Sequence, residues 1–264
     1  MVSDRPHKSN QIMQTLQRYS SVLPRITWEK LPEDFILPDD PVERNLHPLL
    51  ATALRESLEL AGLILESMII ASNFGLCANV NDKTVVKAPD WVYIPSAYPI
   101  KSGEIRRSYT PHAEGNNAEI VMEFISATEG TEYSIAPHYP YGKWYFYEQI
   151  LKVPVYVIFH PYTGVLEVYA LIDDGYQIQK PDQNQCYWLE SIGLFLGVWI
   201  EKKAEQHGFW LRWWDDSRNL LVWGTELVEQ QRQLVEQERH LTQQAEQRAN
   251  RLEKKLRSLG VEIN

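Results

Sequence analysis

The residues of this chain best placed to do chemistry are two carboxylates and a lysine set among apolar residues. Asp90 follows Pro89 and opens the run Trp91-Val92-Tyr93-Ile94. Glu123 lies inside Ile120-Val121-Met122-Glu123-Phe124-Ile125, and Lys143 begins Lys143-Trp144-Tyr145-Phe146-Tyr147-Glu148-Gln149-Ile150. A carboxylate so closely flanked by apolar residues is costly to bury unpaired. If it points inward it needs a cation, a hydrogen-bond network or an altered pKa. Strand alternation leaves the other option open, with Glu123 facing water while Met122 and Phe124 face a core. Lys143 would stand in the first turn of a helix, where the positive dipole end disfavours a cation. A solvated lysine there is the ordinary alternative. Two carboxylates and a lysine suit phosphodiester hydrolysis. Hard oxygen ligands select magnesium, which takes one or two carboxylates and keeps several waters. Such a metal polarises the phosphate and activates water. A lysine can orient that water or stabilise charge on the phosphorus oxygens.

Other chemistries lack their motifs. There is no Gly-x-Ser-x-Gly elbow and no Gly-x-Gly-x-x-Gly fingerprint. Gly142-Lys143 lacks the upstream glycine and the following Ser/Thr of a phosphate-binding loop. The seven histidines form no His-x-x-x-His pair, and Cys77 and Cys186 form no Cys-x-x-Cys pair, so a structural zinc site is not expected. His47, His112, His138 and His160 could assist a site, but a lone histidine is more often structural.

The elements that must position these residues are legible in outline. Leu46, Leu50, Ala53, Leu54, Ser57, Leu58 and Ala61 recur at helical steps and predict an amphipathic helix over about 42–61, capped by Gly62. Short Val-, Ile- and Tyr-rich runs at 67–72, 76–80, 84–86, 91–95 and 119–126 predict strands. A second helix is expected over 141–151, then an apolar hairpin of 154–160 and 165–172 around Pro161-Tyr162-Thr163-Gly164. Shorter strands should follow to about Trp223. The order implies an α/β or α+β domain around a mixed sheet. From Glu226 to Leu259 the composition turns to Gln, Glu, Arg and Leu, with Leu227, Leu234 and Leu241 seven apart. That predicts a long helix of coiled-coil character, able to join two copies into a homodimer. A lone solvated helix is the alternative. The expected organisation is an N-terminal arm over 1–30, a domain over 31–225 and the tail helix over 226–260. A short helix near 11–19 and a Pro-rich loop over 31–41 complete it.

Composition excludes whole classes. The 264 residues hold 13 Gly, 15 Pro, 9 Trp and 14 Tyr, so the chain is neither collagen-like nor a disordered polyampholyte. Two unmatched cysteines argue for a reduced setting. The longest apolar stretch, 61–71, is interrupted by Glu66 and falls short of the roughly 20 residues a bilayer needs. No apolar leader is visible over 1–10. A cytoplasmic protein without a membrane role is the expectation.

Taken together, Pro89-Asp90, Val121-Met122-Glu123-Phe124-Ile125-Ser126, Tyr141-Gly142-Lys143-x-x-x-Tyr147 and Val153-Pro154-Val155-Tyr156 resemble the Uma-type restriction endonuclease family, part of the PD-(D/E)xK nuclease superfamily. The similarity runs from about Leu31 to Asp215 and continues into the Gln/Glu/Arg-rich tail. The resemblance implies a restriction-endonuclease-like fold, a mixed β-sheet flanked by helices. It implies Asp90 and Glu123 as ligands of Mg2+ and Lys143 as the catalytic lysine. The superfamily pattern places that lysine two residues after the Glu; here the position is Ile125, so the lysine is relocated to the helix. Glu43 matches a further acidic residue that the superfamily often contributes, though a carboxylate near a helix N-terminus is also favoured by the dipole alone.

Two functions follow. One is a magnesium-dependent endonuclease that hydrolyses DNA phosphodiester bonds. The other is a catalytically silent protein of the same fold, acting as a coiled-coil interaction module. Charge bears on the choice. Of the net −9, residues 1–30 carry +3, the tail from 226 is neutral, and 31–225 carries −12. A polyanion would be repelled by most of that domain. A nuclease then needs a local basic rim, for which Lys101, Arg106, Arg107 and the arm are the candidates. Lys83 and Lys87 are lesser ones, and Trp210, Trp213 and Trp214 could stack bases, although packing of the tail helix is the commoner use of such a cluster.

Overall fold

The computed structural model describes residues 25–30, 32, 46–101, 103–125 and 132–258. The short helix expected near 11–19, most of the Pro-rich loop and Glu43 lie outside the described residues. Helix α1 (Leu46–Leu60) buries Leu50, Ala53, Leu54 and Leu58. It ends where the helical spacing stops. Gly62 takes φ +69°, its N–H donates to the Glu59 carbonyl, and the Leu63 N–H donates to the Leu58 carbonyl. These two bonds are the Schellman cap that favours glycine.

The described residues form three sheets. The first joins β1 (Ile26–Thr27), β3 (Gly75–Val80) and β4 (Lys83–Lys87) in that order, with β6 (Ser108–Tyr109) parallel to β3. Strand β1 adds the end of the N-terminal arm to this sheet, pairing Ile26 with Val80. The second sheet is the centre of the molecule. Its order is β10-β9-β8-β7-β5-β2, with β2 (Ile69–Ala71), β5 (Trp91–Ile94), β7 (Ile120–Phe124), β8 (Val155–His160), β9 (Val165–Ile172) and β10 (Gly175–Ile178). Strands β7 and β8 are parallel and the other pairs antiparallel.

All five residues of β7 are buried. Ile120, Met122 and Phe124 pack with α1, while Val121 and Ile125 pack with the first sheet and with Phe146, Tyr147 and Ile150. A parallel inner strand covered on both faces has no wet side. That removes the option of a solvated Glu123.

Between β7 and β8 stands α2 (Lys143–Tyr145), which runs straight into a π-helical turn (Phe146–Ile150). The chain is thus a mixed α/β protein with several sheets. The long helix α3 (Gly224–Ser258) follows the third sheet. Among the described residues no helix is long and apolar enough to cross a membrane.

The third sheet, β11 (Cys186–Leu189), β12 (Leu194–Lys203) and β13 (Gln206–Trp214), is a longer structure than the short strands expected there. Its hairpin turns on Ala204 and Glu205, at φ +49° and +66°. A two-residue turn with both φ positive is a type I′ geometry, which favours Asn-Gly. The middle of the aromatic run in β13 is core, while Phe209 and Trp214 at its ends are half-buried. Trp210 and Trp213 are buried, Trp213 Nε1 donates to the Leu54 carbonyl at 3.2 Å, and Trp210 meets Trp223 edge-on at 5.7 Å.

The base of α3 is locked by a buried arginine. Arg212 donates to Glu201 at 3.0 Å, to both Glu226 oxygens at 3.0 and 2.8 Å and to the Leu221 carbonyl at 3.0 Å. Its guanidinium lies 3.6 Å from the Trp223 ring centroid. The Glu56 carboxylate accepts from the Gly224 N–H at 2.9 Å, which ties α3 to α1.

Two outcomes are expected. Arg212→Met should cost about 2–3 kcal/mol in urea unfolding, less than a fully buried pair because Glu201 and Glu226 reach solvent. Limited proteolysis should then cut sooner near 224. Ala204→Asn combined with Glu205→Gly should raise stability by about 1 kcal/mol, because it relieves two strained left-handed residues. A lower melting temperature would contradict the strain.

Candidate active site

The central sheet sets Asp90 and Glu123 side by side. Strands β5 and β7 pair Trp91 with Met122. Continuing that antiparallel register by one residue sets Asp90 opposite Glu123. Asp90 Oδ2 accepts the Phe124 N–H at 2.5 Å, a ladder position that a side chain fills where β5 begins. Asp90 Oδ1 lies 3.5 Å from His47 Nδ1 on α1.

Lys143 reaches back to the same place. Its Nζ donates to Glu123 Oε2 at 3.1 Å, and Tyr147 Oη donates to Glu123 Oε1 at 2.9 Å. The short helix makes this possible. Residues 143 and 147 project from consecutive turns on one face, spaced as neighbours. The π turn carries Tyr147 into the core with Phe146 and Ile150; such turns recur at functional sites. The approach to α2 is tight. A Cβ on Gly142 would fall 1.9 Å from the Ser134 carbonyl oxygen, so only glycine lets this loop close against the helix start.

Electrostatics are set by burial. Glu123 is 1% exposed. Burial pushes its carboxyl up, Lys143, by charge and hydrogen bond, and Tyr147, by hydrogen bond, pull it down, Asp90 pushes it up, and the net position is about 8. Burial acts to lower the Lys143 ammonium, yet Glu123, Asp90 and Glu132 outweigh it and the net direction is upward. Lys143 is therefore a firm cation whenever Glu123 is ionised. Burial and Glu123 hold the Tyr147 phenol far above its usual range, so it serves as a hydrogen-bond donor.

Three of the residues singled out from sequence, Asp90, Glu123 and Lys143, meet at one point. The basic candidates do not share one role. Arg106 is committed to Glu114 at 2.7 Å and to the Tyr98 carbonyl at 2.6 Å, with a largely covered side chain. Lys101 is exposed, 4.0 Å from Glu104. Arg107 is exposed on the same loop.

Sequence reasoning gave Tyr147 and Glu132 no role and named His47 only among histidines that are more often structural. Tyr147 lay within a quoted motif. His47 is buried and stacks edge-on against Phe124 at 5.8 Å; its Nε2 finds no hydrogen-bond partner among the described residues. Glu132 acts on Lys143 through its charge, and its Oε2 is likewise buried without a partner among the described residues. The i, i+4 step from Lys143 to Tyr147 was a usable signal. No local signal tied His47 or Glu132 to residues so distant in sequence.

No group of three or more His, Cys, Asp or Glu able to hold a metal occurs among the described residues. The donor set is two carboxylates, each with lone pairs beyond those already engaged. That fits a cation that prefers oxygen and keeps much of its water, such as magnesium. It does not fit a zinc site.

The sequence model of the family described as Uma2, putative restriction endonuclease, matches residues 28–200. The chain belongs to this family. The family match spans Asp90, Glu123, Lys143 and Tyr147 and stops inside β12, before β13 and α3. No curated protein and no solved structure matches.

The shift of Glu123 has a testable sign. Its folded value lies above the unfolded value of 4.5, so the folded state holds the extra proton. The stability it contributes in metal-free protein is complete below about 4.5 and is lost as pH rises through about 8. Denaturant unfolding across that window should show wild type losing more stability than Glu123→Gln. Parallel curves would remove the assigned shift.

Proposed function

We propose that the chain is a magnesium-dependent endonuclease that hydrolyses DNA phosphodiester bonds, on a restriction-endonuclease-like fold. The observation that carries this reading is the convergence of Asp90, Glu123 and Lys143 where β5, β7 and α2 meet. Family membership and the mixed central sheet, with α1 on one face and α2 on the other, support it.

Asp90 and Glu123 would hold the cation. Bound magnesium would supply Lewis-acid polarisation of the phosphate and a water of lowered pKa. The chain's own residues do the rest. Tyr147 and Lys143 fix the two oxygens of Glu123, so the carboxylate cannot rotate away. The Phe124 N–H holds Asp90, with His47 packed beside it. Lys143 presents a permanent cation beside the carboxylates, where it can stabilise charge growing on the phosphorus oxygens. The apolar walls of β7 and β8 keep the local dielectric low, which strengthens each of these interactions.

Two observations favour the silent alternative. Both Glu123 oxygens are already engaged, and the domain carries −12. Cleavage of supercoiled plasmid with and without magnesium decides between them. Wild type should nick or linearise DNA only with the cation. Asp90→Ala, Glu123→Ala and Lys143→Ala should each lower the rate by about 10²–10³-fold, the usual cost of one electrostatic contributor. At limiting magnesium the rate should rise toward pH 8 and then level, because cation binding needs Glu123 deprotonated. No cleavage of DNA by wild type, or equal rates in wild type and the three variants, would sink the proposal. A single-stranded RNA arm run beside the plasmid separates DNA from RNA as substrate.

A further inference from the structure

Helix α3 leaves the domain at Gly224 and is exposed throughout 227–252. Leu227, Leu234, Leu241 and Leu252 expose 36–64% of their surface along one stripe, an apolar face that association with another surface would cover. The stripe follows a heptad in which Leu227, Leu234, Leu241, Arg248 and Lys255 occupy d positions. Gln231, Glu238, Ala245 and Leu252 occupy a positions. Glu238, Arg248 and Lys255 are the charges set on this seam where apolar residues belong.

We infer that α3 pairs with α3 of a second copy of this chain, antiparallel, about a twofold axis beside Gln243. This conclusion is independent of the catalytic reading. In that register each a residue faces a d residue of the partner helix. Leu234 meets Leu252, Leu241 meets Ala245, Gln231 meets Lys255, and Glu238 meets Arg248. The polar residues that weaken the seam of one helix thus complement each other in the pair. Sliding by one heptad in either direction loses this, because Glu238 then faces Leu241 or Arg248 faces Ala245. A parallel, in-register pair is worse. It sets Glu238 against Glu238, Arg248 against Arg248 and Lys255 against Lys255, all like charges on a seam.

Charge along the helix agrees. Residues 226–243 carry four acids and two bases, and residues 244–258 carry two acids and five bases. Antiparallel pairing lays the acidic half on the basic half twice. Part of this gradient complements the helix dipole. The dipole does not account for opposite charges at matched seam positions. Val228, Val235, Thr242 and Ala249 flank the seam at e and widen the apolar face. The two domains would join the rod at points roughly 55–60 Å apart, at 1.5 Å per residue. Each catalytic site is then complete within its own chain.

Sedimentation of the full chain should give a dimer. Glu238→Arg and Arg248→Glu should each shift it toward monomer by placing like charges together, and the double exchange should restore it. Singly substituted Leu234→Cys and Leu252→Cys should not cross-link to themselves, since position 234 lies about 27 Å from its twofold mate. A mixture of the two should form a disulfide between them under mild oxidation. A monomeric wild type would leave the face to solvent or another partner and overturn the inference. Self-cross-linking of Leu234→Cys would show a parallel pair and overturn it equally.

Discussion

The structure turns on the burial of one carboxylate. Glu123 sits in the middle of the central sheet, almost fully buried, with Val121 and Ile125 on its face. An isolated buried charge is prohibitively costly. Lys143 and Tyr147 make it tolerable, one by charge and one by a hydrogen bond. Both come from the segment between the parallel strands β7 and β8. The crossover that a parallel pair requires thus also delivers the counter-charge. The π turn, the glycine at 142 and the apolar residues of α2 all serve that delivery.

A second buried charge organises the other end of the molecule. Arg212 gathers Glu201, Glu226 and the Leu221 carbonyl under the Trp223 ring. Here the ion cluster fixes the exit of a helix and has no place in a catalytic site. Fully buried arginine and fully buried glutamate are equally unusual. Chemistry separates them: Glu123 has a carboxylate neighbour and a lysine in reach, whereas Arg212 has only structural partners. Between the two ends runs α1, which packs on the face of the central sheet that carries Phe124 and accepts Trp213 from the third sheet. Its His47 touches the site, so the tail hairpin and the carboxylates share a common support.

Much of this was legible in the chain. The strands around Asp90 and Glu123, the first helix with its Gly62 cap and the hairpin after Pro154 follow from periodicity and turn residues. The long β12–β13 hairpin was not. Its turn uses Ala204-Glu205, neither of which announces a left-handed turn, and its strands are too aromatic to alternate visibly. Trp210 and Trp213 of the aromatic cluster proved to be core, while Trp214 is half-buried, because burial depends on what packs above each ring. Arg106 looked available to phosphate and proved committed to Glu114, a partner eight residues away across a loop.

Residue types and spacing by themselves determined which side chains could act together: a carboxylate at the start of one strand and another within a second, a lysine opening a helix, and a heptad seam with one acid and two bases. These are local properties, written in steps of two, three, four or seven. Only the tertiary structure decided that Glu123 is dry rather than wet, that Lys143 turns inward to meet it, and that His47 and Glu132 stand nearby. The physical reason is that dielectric environment is not local. Whether a charge is buried depends on which distant strands and helices cover it, and here α1, the first sheet and the π turn close over a residue that its own neighbours left undecided.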